Sequence, residues 1–428
     1  MVPSLGAERL TAADASNVVF DTADQVNVFA LAGLLGIGGF VHADGTLELD
    51  RLRAEIESRL HDPSVPELSR FRQRIIEREG RLVWEPCEPD LTWHIRASDA
   101  VPGLDGLADL CAALMIRPLA AHRPGWELLV VPAGSTKGPA VVLRAHHAIA
   151  DGVAAVRLAE LLFGAESAPS RARAEPSPRP RGAWWRAAVT GVVRIAAMLR
   201  RSVPRTVLLG PIGPRRGVGF AEVDLATLGD AARHAGGTVN DALLAGIAAA
   251  TAAGLRAGGH PVPGVLPASV PVALPERGGS GNAVGVMMVQ LPTDEPDVAL
   301  RIRRIAASTR AAKDEARAAG TFELTRSRWG SRLFAWLARR QRFVVMFVTN
   351  VRGPAAALTI GGAPLEHAWP VTPIQGNVRL GVAALSYRGR LACTVHTDAT
   401  ALDATAVARA LADELTTLAT TALSRGTA

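Results

Sequence analysis

Between Gly164 and about Arg216 the chain passes through SAPSRARAEPSPRPRG and similar sequence, a run of proline, serine and arginine that cannot hold a packed core. This stretch most constrains the fold. It requires two packed halves joined by an exposed connector, and 428 residues suffice for each half to bury a core of its own. The expected division is an N-terminal domain over residues 1–163, a linker over 164–215 and a C-terminal domain over 216–428. Both halves alternate short β-like runs with helical periodicity, without an internal repeat. The expected class is therefore α/β, with a mixed sheet flanked by helices in each half.

Before the linker, LDRLRAEIESRL (Leu49–Leu60) has helical spacing, while VNVFALAGLL from Val26 and TWHIRA from Thr92 read as strands. ELLVV (Glu127–Val131) and PAVVLR (Pro139–Arg144) read as neighbouring strands joined by the turn-rich PAGSTKG. After the linker come the strand-like GVGFAEVDL and helices over Thr238–Leu255, Val298–Ala319 and Leu324–Arg340. FVVMFVTNV, ALTIGG, VRLGVAALSY and LACTVHTD then read as strands before a last helix from Asp403 to about Thr420. Within the linker, Trp185, Val189, Val192, Ala196, Leu199 and Val203 recur at helical spacing among arginines. That pattern suits an interfacial helix, or equally a helix laid on the protein.

Cys87, Cys111 and Cys393 are few, odd in number and lack metal-ligand spacing, so neither a disulfide framework, a zinc site nor any other metal is expected. The first residues lack a basic segment followed by an apolar one, so no leader peptide is expected, and the expected location is cytoplasmic, with a peripheral place at the membrane left open. The net charge of +7 rests on arginine, since Lys137 and Lys313 are the only lysines. No basic stripe interleaved with aromatics favours nucleic acid. Phosphates on a small molecule or a lipid surface fit better, and the number of subunits is left open.

The strongest chemical signal is RAHHAIADGVAAVRL (Arg144–Leu158): a strand leads into His146 and His147, and a helix follows Asp151 and Gly152. Asp151 stands at the helix N-cap, where a carboxylate accepts the free N–H groups, and Gly152 permits close backbone approach. Adjacent residues at a strand end point in opposite directions, so one histidine is anchored while the other faces a cleft. A histidine base needs a neutral imidazole, its far nitrogen held by a hydrogen bond and its near one aimed at the nucleophile.

These residues match the HHxxxDG motif of coenzyme-A-dependent acyltransferases, a superfamily that includes chloramphenicol acetyltransferase, nonribosomal peptide condensation domains and the wax ester synthase/diacylglycerol acyltransferases. The chain resembles the last of these along nearly its whole length. RPGWE (Arg123–Glu127) is similar to the family's PLWE segment, with Gly125 in place of leucine, and GPIGPRR (Gly210–Arg216) resembles the opening of its second domain, preceded by Leu209 in place of asparagine. TVNDALLA holds its Asn-Asp pair as Asn240 and Asp241, and GNAVGVMMVQLPTD (Gly281–Asp294) resembles its Gly-Asn strand. TNVRGP (Thr349–Pro354) resembles its SNVPGP, with Arg352 in place of proline.

The resemblance implies two chloramphenicol-acetyltransferase-like domains enclosing a central channel, with acyl donor and acceptor entering from opposite faces. It implies an O-acyltransferase that moves a fatty acyl group from acyl-CoA, a co-substrate and not a bound cofactor, to a long-chain alcohol or diacylglycerol. His147 would be the general base, His146 and Gly152 would shape the turn, and Asp151 would hold the loop through a charge pair. Asn282, Asn240 and Asp241 are candidates for oxyanion or substrate contact, although capping the next helix suits the last two better. Trp126 and Glu127 would support the site from beneath, and Asn350 the crossover between domains. His94, His396 and Asp398 lack motif support and read as structural. The competing readings are acylation of a specialised-metabolite hydroxyl or amine from a coenzyme A or carrier-protein donor, and a non-catalytic binding module of the same fold.

Overall fold

The computed structural model describes residues 7–22, 24–134, 138–164, 203–273, 284–319 and 328–426. Asn282 and the helix expected over residues 184–202 lie outside them. In chain order the first half contributes β1 (Glu8–Arg9), α1 (Ala12–Phe20), β2 (Val28–Leu35), α2 (Leu49–Leu60), β3 (Gln73–Arg78), β4 (Arg81–Pro86), α3 (Leu91–His94), β5 (Ile95–Ala97), α4 (Gly103–Leu114), β6 (Trp126–Val131), β7 (Ala140–His146) and α5 (Gly152–Phe163). The second half contributes β8 (Arg216–Asp224), α6 (Leu225–His234), α7 (Val239–Ala257), β9 (Val265–Ala273), β10 (Val284–Pro292), α8 (Val298–Ala319) and α9 (Arg328–Ala338). It ends with β11 (Met346–Arg352), β12 (Thr359–Ile360), β13 (Ala363–Val371), β14 (Leu380–Tyr387), β15 (Arg390–Asp398) and α10 (Ala404–Gly426).

Two six-stranded sheets dominate, in the orders β12-β13-β2-β7-β6-β5 and β10-β9-β11-β14-β15-β8. β6 and β7 are buried along their whole length, as their near-continuous apolar sequence requires of central strands covered on both faces. TWHIRA does not form a single strand. Asp90 accepts from the N–H groups of Thr92 (3.1 Å) and Trp93 (3.3 Å) and starts the short α3, so only Ile95–Ala97 extends beside β6.

The sequential division at residue 216 does not hold for the sheets. β13 pairs antiparallel with β2 from Leu365↔Leu35 to Val371↔Ala30, so two strands from the C-terminal part complete the N-terminal sheet. The reason is an open edge on β2. Leu358, Ile360 and Leu365 join the core of the first half, and Tyr387 pins the crossing by donating its hydroxyl to Leu365 O (2.9 Å) while accepting from Leu358 N–H (2.9 Å). A further core joins Leu107 and Cys111 of α4 to Val218 of β8 and Val371 of β13, so the halves share buried apolar surface.

Candidate functional site

The paired histidines leave β7 between its two neighbouring strands, and their main-chain N–H groups go to opposite sides. His146 donates to Gly125 O (2.8 Å), just before β6, and His147 donates to Asn27 O (2.9 Å), just before β2. The side chains therefore diverge. Ile149 N–H returns to His146 O (2.9 Å) and closes the turn, after which Asp151 caps α5 by accepting from Val153 (3.1 Å) and Ala154 (2.9 Å) through Oδ1. A Cβ at Gly152 would stand 3.0 Å from Val351 Cγ2, so this glycine lets β11 of the second half press against the turn. A Cβ at Gly125 would meet that of His146 at 3.2 Å, which places the departure from the family's leucine directly beneath the first histidine.

His146 is 8% exposed and fully engaged. Its Nδ1 accepts from Ala148 N–H (3.0 Å) and so carries no proton; the proton of the neutral ring sits on Nε2, which donates to Asp21 Oδ2 at 3.2 Å. His147 is half-buried, and burial lowers its pKa from 6.5 to about 4, with its own carbonyl opposing only part of that shift. At neutral pH the ring is uncharged. Its Nδ1 is enclosed and makes no hydrogen bond, contrary to the expectation that the far nitrogen is held by one. The ring is instead fixed by packing, edge-on to Phe29 with centroids 6.0 Å apart and planes at 85°. Nε2 is not enclosed in this way, so it is the ring nitrogen that a substrate can reach.

Asp151 is 9% exposed, and burial raises its pKa, which the two N–H groups of α5 oppose. Among the described residues no cation pairs with it, and the bonds it makes there are those of a helix cap.

Beneath the strand end, Trp126 donates Nε1–H to Phe71 O (2.9 Å) and stacks on His94 (4.5 Å between centroids). The buried Glu127 carboxylate receives Arg96 (2.5 Å), Arg117 (2.6 Å) and Arg144 (2.5 Å). Arg144 also donates to the carbonyls of Leu114 and Arg117. Burial pulls the Arg144 pKa down to about 10, yet its guanidinium stays charged. This is a scaffold under β6 and β7: excess positive charge is brought inside only because the carbonyls share it.

In the second half, Thr238 and not Asn240 caps α7. Thr238 and Asp241 form a reciprocal capping box, and the other Asp241 oxygen accepts from Thr309 Oγ1 (2.7 Å). Asp241 is thus occupied by structure. Asn240 Oδ1 accepts from Asn350 Nδ2 (3.3 Å), which ties α7 to β11, the strand that reaches Gly152. Leu209 makes a bridge with Val378, and Arg352 is the exposed end of β11.

Several residues around the histidines escaped the sequence reading. Asn17 Nδ2 donates to His147 O (3.2 Å), Asn27 Nδ2 donates to Asn17 O (2.8 Å), and Asn27 N–H donates to Asp21 Oδ1 (3.0 Å). The available signal was the cluster of polar side chains in DTADQVN, set between an apolar helix and an apolar strand. Beside Asp21 lies a cavity of about 370 Å³ lined by Val18, Val19, Glu77, Leu82, Arg332 and Ala335.

Residues 10–202 match the wax ester synthase/diacylglycerol acyltransferase catalytic domain, and residues 280–419 match the C-terminal domain of the same family. A probable diacylglycerol O-acyltransferase from Mycobacterium tuberculosis is 30% identical over 393 residues, covering 82% of this chain and 84% of its own length. In fold the chain is similar to the wax ester synthase/diacylglycerol acyltransferase from Marinobacter aquaeolei VT8, with TM-score 0.73, 22% identity and coverage of 97% and 99% of the two chains. It is also similar to the starter condensation domain of rhizomide synthetase in complex with C8-CoA, with TM-score 0.57, 15% identity and coverage of 97% and 95%. With both domains matched in order around an HHxxxDG turn, the chain is an acyltransferase belonging to the wax ester synthase/diacylglycerol acyltransferase family.

Proposed function

We propose that His147 is the general base in acyl transfer from acyl-CoA to the hydroxyl of a long-chain alcohol or a diacylglycerol. The observation that carries this reading is an uncharged imidazole at the end of β7, with its Nδ1 enclosed and, among the described residues, no hydrogen bond to its Nε2. Nε2 takes the hydroxyl proton as the oxygen attacks the thioester carbon; when the tetrahedral intermediate collapses, the carbon–sulfur bond breaks and the proton passes to the departing thiolate of coenzyme A. No acyl-enzyme forms, and the products are an ester and free coenzyme A. A same-fold condensation domain in complex with C8-CoA supports the donor.

A lipid surface is the proposed source of the acceptor. Among the described residues no single helix is long and apolar enough to cross a membrane. On α9, however, Leu333 and Trp336 are 53% and 51% exposed, Arg340 lies over the Trp336 ring (4.4 Å), and Arg332 and Ala335 line the cavity beside Asp21.

The test is release of coenzyme A thiol and ester from a long-chain acyl-CoA, with hexadecanol, a diacylglycerol and a polar alcohol compared as acceptors. Ester from the first two, lost in His147→Ala, is the expected result. Product from the polar alcohol alone would replace the lipid reading with acylation of a small metabolite, and turnover retained in folded His147→Ala would remove the base.

A further inference from the structure

We infer that Asp21 is the positioning residue of the base, setting the His147 backbone from both sides through His146 and Asn27; the inference rests on His147 being the base. Asp21 ends α1 in extended conformation, and its N–H returns to Val18 O (3.2 Å). Its two oxygens then divide: Oδ1 accepts from Asn27 N–H at 3.0 Å, and Oδ2 accepts from His146 Nε2 at 3.2 Å.

Each branch ends at His147. On one side, His146 is the preceding residue, and its ring is locked because Nδ1 also accepts from Ala148 N–H, on the far side of the base. On the other, Asn27 O receives His147 N–H, while Asn27 Nδ2 holds Asn17 and Asn17 Nδ2 holds His147 O. The peptide groups flanking the base are thus bonded within a ring of contacts in which, among the described residues, the Asp21 carboxylate joins both branches. A His147 ring with no hydrogen bond to orient its Nδ1 depends on this backbone placement for its aim.

The loop carrying Asp21 is in turn held by the second half. Arg339 donates to Asp24 Oδ2 (2.9 Å) and Thr22 Oγ1 (3.1 Å), and Gln25 exchanges two hydrogen bonds with Gly376, at 2.9 Å and 2.8 Å. The carboxylate therefore links the base to the seam between the halves.

Asp21→Asn is nearly isosteric and tests this directly. An amide offers one acceptor where the network requires two: whichever way it is turned, its NH2 faces either the Asn27 N–H or the His146 Nε2–H. His146 cannot relieve the conflict by moving its proton to Nδ1, because that proton would face Ala148 N–H. The variant is expected to lose roughly 10- to 100-fold in kcat, with KM for acyl-CoA changed by less than about twofold, in protein that retains its near-UV circular dichroism. In spectra of 15N-histidine-labelled protein, the His147 ring signals, assigned by their absence from His147→Ala, are expected to move while those of His234, which bonds Asp230 O within α6, stay.

Wild-type kcat in Asp21→Asn, or unmoved His147 signals, would overturn the positioning role. So would a loss confined to KM. The reading of the base is judged separately: turnover by folded His147→Ala removes it whatever Asp21→Asn does, whereas an inactive His147→Ala beside a fully active Asp21→Asn removes only the role of Asp21.

Discussion

Two strand–turn–helix segments of the molecule share one geometry. β7 ends at His146 and α5 begins at Gly152; β15 ends at Asp398 and α10 begins at Ala404, so each turn has five residues, 147–151 and 399–403. Each closes on an aspartate that caps its helix, Asp151 through Val153 and Ala154, and Asp403 through Ala406 N–H (3.0 Å). They differ in what is left unbonded. In the second half, Asp398 is fully enclosed and its oxygens accept from Gly213 N–H (2.7 Å), Thr400 N–H (2.9 Å) and Thr400 Oγ1 (2.7 Å), with Arg379 at 3.5 Å. In the first, His147 keeps an uncharged imidazole that makes no hydrogen bond among the described residues. The same turn serves as a cross-link in one half and presents a reactive group in the other; chemistry requires the unsatisfied side chain, and the fold alone does not supply it.

The sharpest way to break this comparison is to delete the key group of each segment, His147 at the start of the first turn and Asp398 at the strand end before the second. His147→Ala is expected to lower kcat by about 10²- to 10⁴-fold while leaving the urea unfolding midpoint close to wild type, since a general base acts on the reaction and not on the core. Asp398→Ala is expected to do the reverse: a loss of about 3–5 kcal/mol in stability, read by urea unfolding, because Arg379 and several buried donors lose their acceptor. An unstable His147→Ala or a stable Asp398→Ala would erase the distinction.

Acid separates the halves next. Burial lowers His94, His147 and His396 from 6.5 to about 4 each, so between those values the unfolded chain takes up protons that the folded chain refuses. Stability is therefore fully present above about pH 6.5 and falls as pH drops toward 4. Over the same range His147 remains a free base, and the acid limb of kcat/KM is expected nearer 4 than 6.5 in protein still folded. His396→Gln is expected to flatten the stability profile without moving the activity limb. The smallest effect compares the caps: Asp151→Ala and Asp403→Ala are each expected to cost about 1 kcal/mol in unfolding experiments, with turnover reduced only for Asp151, whose helix starts beside the base.

Much of the fold was legible because periodicity and turn chemistry act locally. The helix over Leu49–Leu60, the strands entering and leaving the PAGSTKG turn, and the Asp151 cap all follow from neighbours in sequence. TWHIRA misled because Asp90 lies just outside the β-like run, and its capping bonds override β-propensity over Leu91–His94. β13 was missed for a different reason: APLEHAWPV contains two prolines and no clear alternation, and it becomes a strand only because β2 offers an open edge.

The sequence by itself determined the α/β composition, the turn that presents paired histidines, and through its motifs the family and class of reaction. Each depends on residues a few positions apart. The tertiary structure decided how these are used: that Thr238, not Asn240, caps α7, that Asp151 is buried as the cap of α5, and that His147 is uncharged while His146 is locked. It also brought Asp21 and Asn27, 126 and 120 positions before the base, into its hydrogen-bond network. Burial and long-range bonds are properties of the assembled chain, because solvent exclusion around a side chain depends on every element packed against it.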